Sequence, residues 1–102
     1  MIDWARVSEL KADIGEDIFE ELLPIFLEEI SEALETLKGQ ETTAEIAATA
    51  HFIKGSASNL GFSVLTEVSG KGEICAKAGN FPEDFHQHLL NAFEGSKAAL
   101  LS

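Results

Sequence analysis

The chain has 102 residues, enough for one domain over residues 1–102 and too few for a second independent core. Thirteen Ala, twelve Leu and fourteen Glu against three Val and no Tyr favour helices and exclude a strand-rich fold. Eighteen acidic against seven basic residues give a net charge of −11, which argues against nucleic acid or an anionic membrane as partner.

Asp3 is placed to cap a short first helix running to about Lys11, and Gly15-Glu16-Asp17 breaks it. In the long second helix, Phe19, Leu22, Phe26, Ile30, Ala33 and Leu37 recur at steps of three or four. Glu20, Glu21, Glu28, Glu29, Glu32 and Glu35 mostly fill the remaining arc, which reads as a solvated face. Pro24 lies inside the pattern and costs one backbone hydrogen bond, so a kink is allowed there. Gly39 ends the helix.

Thr42 and Glu45 have capping-box spacing and open a third helix of about eighteen residues, ending near Leu60 and Gly61. A fourth follows from Ser63 to Ala78 and stops at Gly79-Asn80. Pro82 suits the first turn of a fifth, whose core stripe is Phe85, Leu89, Phe93 and Leu100. The expected fold is all-α: an antiparallel four-helix bundle with a short extra N-terminal helix across one end.

Charge is uneven. Residues 1–51 carry thirteen acids and three bases, residues 52–102 five and four, and between Ile46 and Thr66 the only charged side chain is Lys54. A buried helix pair explains that depletion, and so does a docking surface. The longest apolar run, Leu22 to Leu27, contains Pro24 and is far shorter than the roughly 20 residues of a membrane span. The single Cys75 allows no internal disulfide, and MIDWARVSEL has the pattern of no secretory leader, so a cytoplasmic location is expected.

Few side chains suit chemistry. His86 and His88 stand about 200° apart on a helix and do not share a metal from one face. Cys75 has no convincing nucleophile's partner and reads as a small apolar residue. No phosphate-cradling glycine motif for a nucleotide is present. His51 is different. With Ile46 set at 0°, Ala50, Ile53, Ala57 and Leu60 fall within about 40° of it as a core stripe, while His51 falls at about 140°. Its own face carries Ala44, Ala47, Ala48, Gly55 and Ser58, with Lys54 three residues on. An exposed imidazole is a nucleophile toward phosphorus, Lys54 offsets the charge of an anion held there, and a mid-helix Gly55, which costs about 1 kcal/mol, calls for a close approach by another molecule or for tight helix packing.

The run His51-Phe52-Ile53-Lys54-Gly55-Ser56-Ala57-Ser58-Asn59-Leu60-Gly61 resembles the HxxKGSxxxLG signature of histidine-containing phosphotransfer (HPt) domains. The opening Asp3 with Leu10, the Gly15-Glu16-Asp17 break, Glu21-Leu22-Leu23-x-x-Phe26 and Leu65-x-x-Val68 are also similar to the family pattern. The resemblance implies His51 as phosphoacceptor, Lys54 as its charge partner and Gly55 as the gap admitting a receiver domain, with Ala47, Ala48, Gly55 and Ser58 forming a docking face. It implies a phosphorelay carrier rather than an enzyme, passing a phosphoryl group between receiver aspartates. The expected partners are response-regulator receivers and a hybrid histidine kinase. The chain is expected to be a monomer with no bound cofactor, and Mg²⁺ to sit on the receiver. The alternative is a helical module that docks on receivers or kinases without carrying phosphate. One departure stands out: Gly72 replaces a core-type Leu before Glu73, and with Gly70 it predicts a frayed or bent fourth helix at a cost of about 2 kcal/mol.

Overall fold

The computed structural model describes residues 2–80 and 83–102. Asp3 accepts a hydrogen bond from the Arg6 amide through Oδ1 (3.2 Å) and starts α1, Trp4–Ile14, one turn longer than its sequence suggested. Gly15, at φ +89°, turns the chain into α2, Glu16–Lys38. Glu16 and Asp17 sit in the first turn of α2, where the helix dipole favours acids. The helix runs unbroken through Pro24.

Thr42 caps α3, Thr43–Asn59, with its hydroxyl oxygen accepting from the Glu45 amide at 3.1 Å. The hydroxyl donates in turn to the Glu45 carboxylate at 2.8 Å, a tighter local loop than the reciprocal capping box. After the Leu60-Gly61-Phe62 corner come α4, Ser63–Lys77, and α5, Phe85–Leu101. Pro82, expected in the first turn of the last helix, lies outside the described residues.

The four long helices form a ring in which α2 touches α3, α3 touches α4, α4 touches α5 and α5 closes on α2. With short connections this is the antiparallel bundle expected from the pattern. A helix of 23 residues is about 35 Å long, so α2 spans most of the molecule's 41 Å axis. Helix α1 packs on α2, and the segment before it crosses to the α3–α4 corner: Ile2 bridges to Phe62, and the Asp3 amide donates to the Gly61 carbonyl at 2.7 Å. Arg6 reinforces the junction through Asn59, donating to its carbonyl (3.1 Å) and its Oδ1 (2.7 Å). Gly61 has φ +74°, and a Cβ on it would lie 2.7 Å from the Asp3 carbonyl. The Asn59-Leu60-Gly61 end of the signature therefore serves architecture, Leu60 being buried in the core.

The α3 stripe of Ile46, Ala50, Ile53, Ala57 and Leu60 is buried as expected, and so are Phe85, Leu89 and Phe93 of α5. Phe62 and Phe93 meet in a tilted aromatic pair, 6.5 Å between ring centroids. Leu100 is only partly buried. On α2 the core face is wider than the expected stripe and lacks Leu22: Phe19, Ile30, Leu34 and Leu37 are buried, and Leu23, Phe26, Leu27 and Ala33 are partly buried and packed against them. Steps of three and four from Phe19 admit either adjacent leucine, and the choice follows the average of 3.6 residues per turn over the whole helix.

The expected defect in α4 is absent. The helix is regular through Gly70 and Gly72. A Cβ on Gly72 would lie 2.0 Å from Cζ of Phe85, so the missing side chain is the seat of an α5 aromatic ring. Packing of Phe85 in that space offsets the helix-propensity cost that the sequence pattern exposed. At Gly70 the nearest atom to an added Cβ is Cδ of Lys54, at 3.3 Å, so this glycine makes room for the stem of the signature lysine.

Candidate functional site

His51 lies midway along α3 with its side chain 68% exposed, on the side of the helix away from the buried stripe. The ring is anchored from α4. Its Nδ1 lies 2.8 Å from Oε2 of Glu73, a residue whose side chain is only 5% exposed. Lys54 reaches the other carboxylate oxygen, Nζ to Oε1 at 2.8 Å, and Lys77, one turn after Glu73 on α4, lies 3.1 Å from Oε2. A covered carboxylate needs such partners, and three donors meet its two oxygens.

The Glu73 carboxyl is held down at about 2, chiefly by the hydrogen bond from Lys54; its burial works against this, and Lys77 and His51 add to the lowering. At neutral pH Glu73 is therefore an acceptor only, which requires the facing imidazole nitrogen to carry the proton. Nδ1–H donates to Oε2. In the neutral ring the lone pair then resides on Nε2, which is turned to solvent and makes no hydrogen bond with any described residue. The ring is anchored and exposed, with its tautomer and orientation set by a neighbouring carboxylate, an arrangement that suits nucleophilic chemistry at the other nitrogen.

Beside it runs an open groove between α3 and α4 of about 620 Å³, lined by Ala44, Ala47, Ala48 and Ala76 together with His51, Glu73 and Lys77. Ala47 is nearly buried, with 6% of its surface exposed, so it lies under the groove rather than standing on the surface beside Ala48. Gly55, one turn beyond His51, is exposed, and an added Cβ there would meet nothing within 4 Å. Close helix packing does not explain this glycine; open space next to the imidazole does. Ser58, a further turn along, is exposed but lines a separate shallow depression with Asp3, Ser63 and Thr66. Of the proposed docking residues, Ala47 and Ala48 adjoin His51 in one groove, Gly55 continues its face, and Ser58 stands apart.

Glu73 is the residue of the candidate site that the sequence named only as part of a pattern. Its signal was present: Leu65, Ser69, Gly72 and Ala76 are buried on α4, and Glu73 falls among them as an acid at a core-facing position. Elsewhere, His88 pairs with Asp84 on the surface (3.1 Å), His86 buries an Nε2 that has no hydrogen-bond partner among the described residues, and Cys75 is half-buried. Among the described residues no group of three or more His, Cys, Asp or Glu side chains is placed to hold a metal ion.

A family model described as Hpt domain matches residues 17–99. The chain belongs to the Hpt domain family. Membership gives it a phosphotransfer role in two-component signalling, as a phosphocarrier with receiver or kinase partners. The matched span covers α2 to α5 and so includes His51, Lys54, Glu73 and Lys77, while α1 precedes it. No curated protein and no solved structure gives a significant match. No helix among the described residues is long and apolar enough to cross a membrane.

Proposed function

We propose that this Hpt domain is a phosphorelay intermediate that accepts a phosphoryl group on Nε2 of His51 from a receiver aspartate and passes it to a second receiver. In the forward step the Nε2 lone pair attacks phosphorus in line, a P–N bond forms, and the P–O bond to the aspartyl carboxyl breaks. The aspartate leaves as a carboxylate. No proton needs to move: Nδ1 keeps its hydrogen, and the imidazolium charge that develops is balanced by Glu73. The reverse step returns the phosphoryl group to another receiver by the same geometry.

The observation that carries this reading is the 2.8 Å contact of Nδ1 with an ionised, covered carboxylate, which leaves the outward Nε2 as the basic nitrogen. Lys54 enters as charge partner, holding Glu73 ionised and adding a cation one turn from His51. Gly55 leaves open the space that a receiver needs, with Ala47 and Ala48 beside it and Ser58 at the margin. On this reading the chain itself binds no cofactor, and Mg²⁺ belongs to the receiver.

The test is phosphoryl transfer from a panel of phosphorylated receivers to the wild-type protein and to His51→Gln. Wild type is expected to gain one acid-labile phosphoryl group and His51→Gln none, with its melting nearly unchanged because the ring lies off the core. Phosphate on His86 or His88 overturns the assignment. Receiver binding without transfer in the wild type establishes the docking module instead.

A further inference from the structure

Three cations or donors meet the Glu73 carboxylate, and they are held very differently. Lys54 is clamped: its stem lies along α4 where Gly70 leaves room, its ammonium has Oε1 to itself, and only 38% of the side chain is exposed. Lys77 is 67% exposed, makes one contact at 3.1 Å, and shares its oxygen, Oε2, with His51. It also lines the groove beside His51, whereas Lys54 does not. An exposed ion pair held by a single contact is weak, and a four-carbon stem lets the ammonium swing.

Resting on the carrier reading above, we propose that Lys77 is the mobile phosphoryl-binding cation of the site, exchanging Glu73 for the phosphoryl oxygens when His51 is phosphorylated, while Lys54 stays on Glu73 as a positioning residue. The exchange follows from the charges. Phosphorylation makes the ring an imidazolium, so Nδ1–H becomes a charge-assisted donor and tightens on Oε2, the oxygen that Lys77 shares. The same event places a doubly charged anion at the mouth of the groove that Lys77 lines. Lys77 thus loses part of its old partner as a stronger one arrives within reach. Lys54, alone on Oε1, has no such incentive to leave, and its departure would uncover a buried carboxylate.

The experiment compares wild type, Lys77→Ala, Lys77→Arg and Lys54→Ala, each as the full chain. Each is phosphorylated with phosphoramidate, and the second ionisation of the phosphoryl group is followed by ³¹P NMR; single-turnover transfer from a saturating phosphorylated receiver is measured in parallel. Lys77→Ala is expected to raise the phosphoryl ionisation and slow transfer about tenfold, less than the loss of a buried oxyanion donor because this cation is exposed. Lys77→Arg restores both. Lys54→Ala is expected to leave the phosphoryl ionisation in place and instead to raise that of the Glu73 carboxyl. A Lys77→Ala protein whose phosphoryl ionisation and transfer rate match wild type overturns the proposal, as does a phosphoryl ionisation that responds to Lys54→Ala alone. A wild-type protein that takes no phosphoryl group on His51 overturns the carrier reading and this inference with it, whereas normal labelling with an indifferent Lys77 removes only the latter.

Discussion

Replacing Gly55 by Leu separates stability from function. The position is helical and exposed, with nothing within 4 Å of an added Cβ, so a side chain there overlaps no neighbouring atom at its root. Removing a mid-helix glycine stabilises by about 0.5–1 kcal/mol, and in a domain of this size 1 kcal/mol moves the melting temperature by about 4–8 °C. The variant is expected to melt about 2–8 °C higher than wild type. Gly55 stands about 6 Å along α3 from His51, one turn away on the same face, so the isobutyl group projects into the space an approaching receiver must occupy. Receiver-dependent phosphorylation should then fall sharply, by tenfold or more if about 1.4 kcal/mol of docking is lost. Thermal melting by circular dichroism beside phosphorylation by a cognate receiver gives both quantities. A variant that melts lower than wild type yet transfers in proportion to its folded fraction refutes the reasoning, because it makes Gly55 a packing residue.

Gly72→Ala should behave oppositely, since its Cβ would fall 2.0 Å from the Phe85 ring. Overpacking of up to about 3 kcal/mol outweighs the roughly 1 kcal/mol gained in helix propensity, so melting should fall, at most by about 8–16 °C, and a rise would show that the ring is not seated there. The Glu73 carboxyl should titrate near 2 rather than near 4.5, as read by ¹³C NMR. Because its pKa is lowered in the folded state, its stabilising contribution is full above about pH 4.5 and disappears as pH falls toward 2. Glu73→Gln should remove that part of the acid dependence, and a wild-type midpoint near 4.5 contradicts the three-donor site.

The sequence by itself determined which stretches are helical, which face of α3 is buried and which histidine stands off it. Helix caps, glycine stops and the 3.6-residue period are local properties, and Asp3, Thr42, Gly39 and the Ile46-to-Leu60 stripe carry them without reference to the rest of the chain. Where two local solutions were equivalent, as with the neighbouring Leu22 and Leu23, the period alone did not choose. Gly72 was misleading for a related reason: its cost is local and visible, while the Phe85 ring that fills its place comes from another helix. Only the tertiary structure made Glu73 part of the site. Twenty-two residues separate it from His51, and nothing in the spacing brings a carboxylate to Nδ1 until α4 packs antiparallel on α3. That packing also sets the two lysines in different surroundings, since the Lys54 stem lies against Gly70 with 38% of the side chain exposed, while Lys77 pairs with Glu73 from the end of α4 with 67% exposed. The exposed histidine is thus written in a local signature, but the proton on its Nδ1 is placed by a contact between helices.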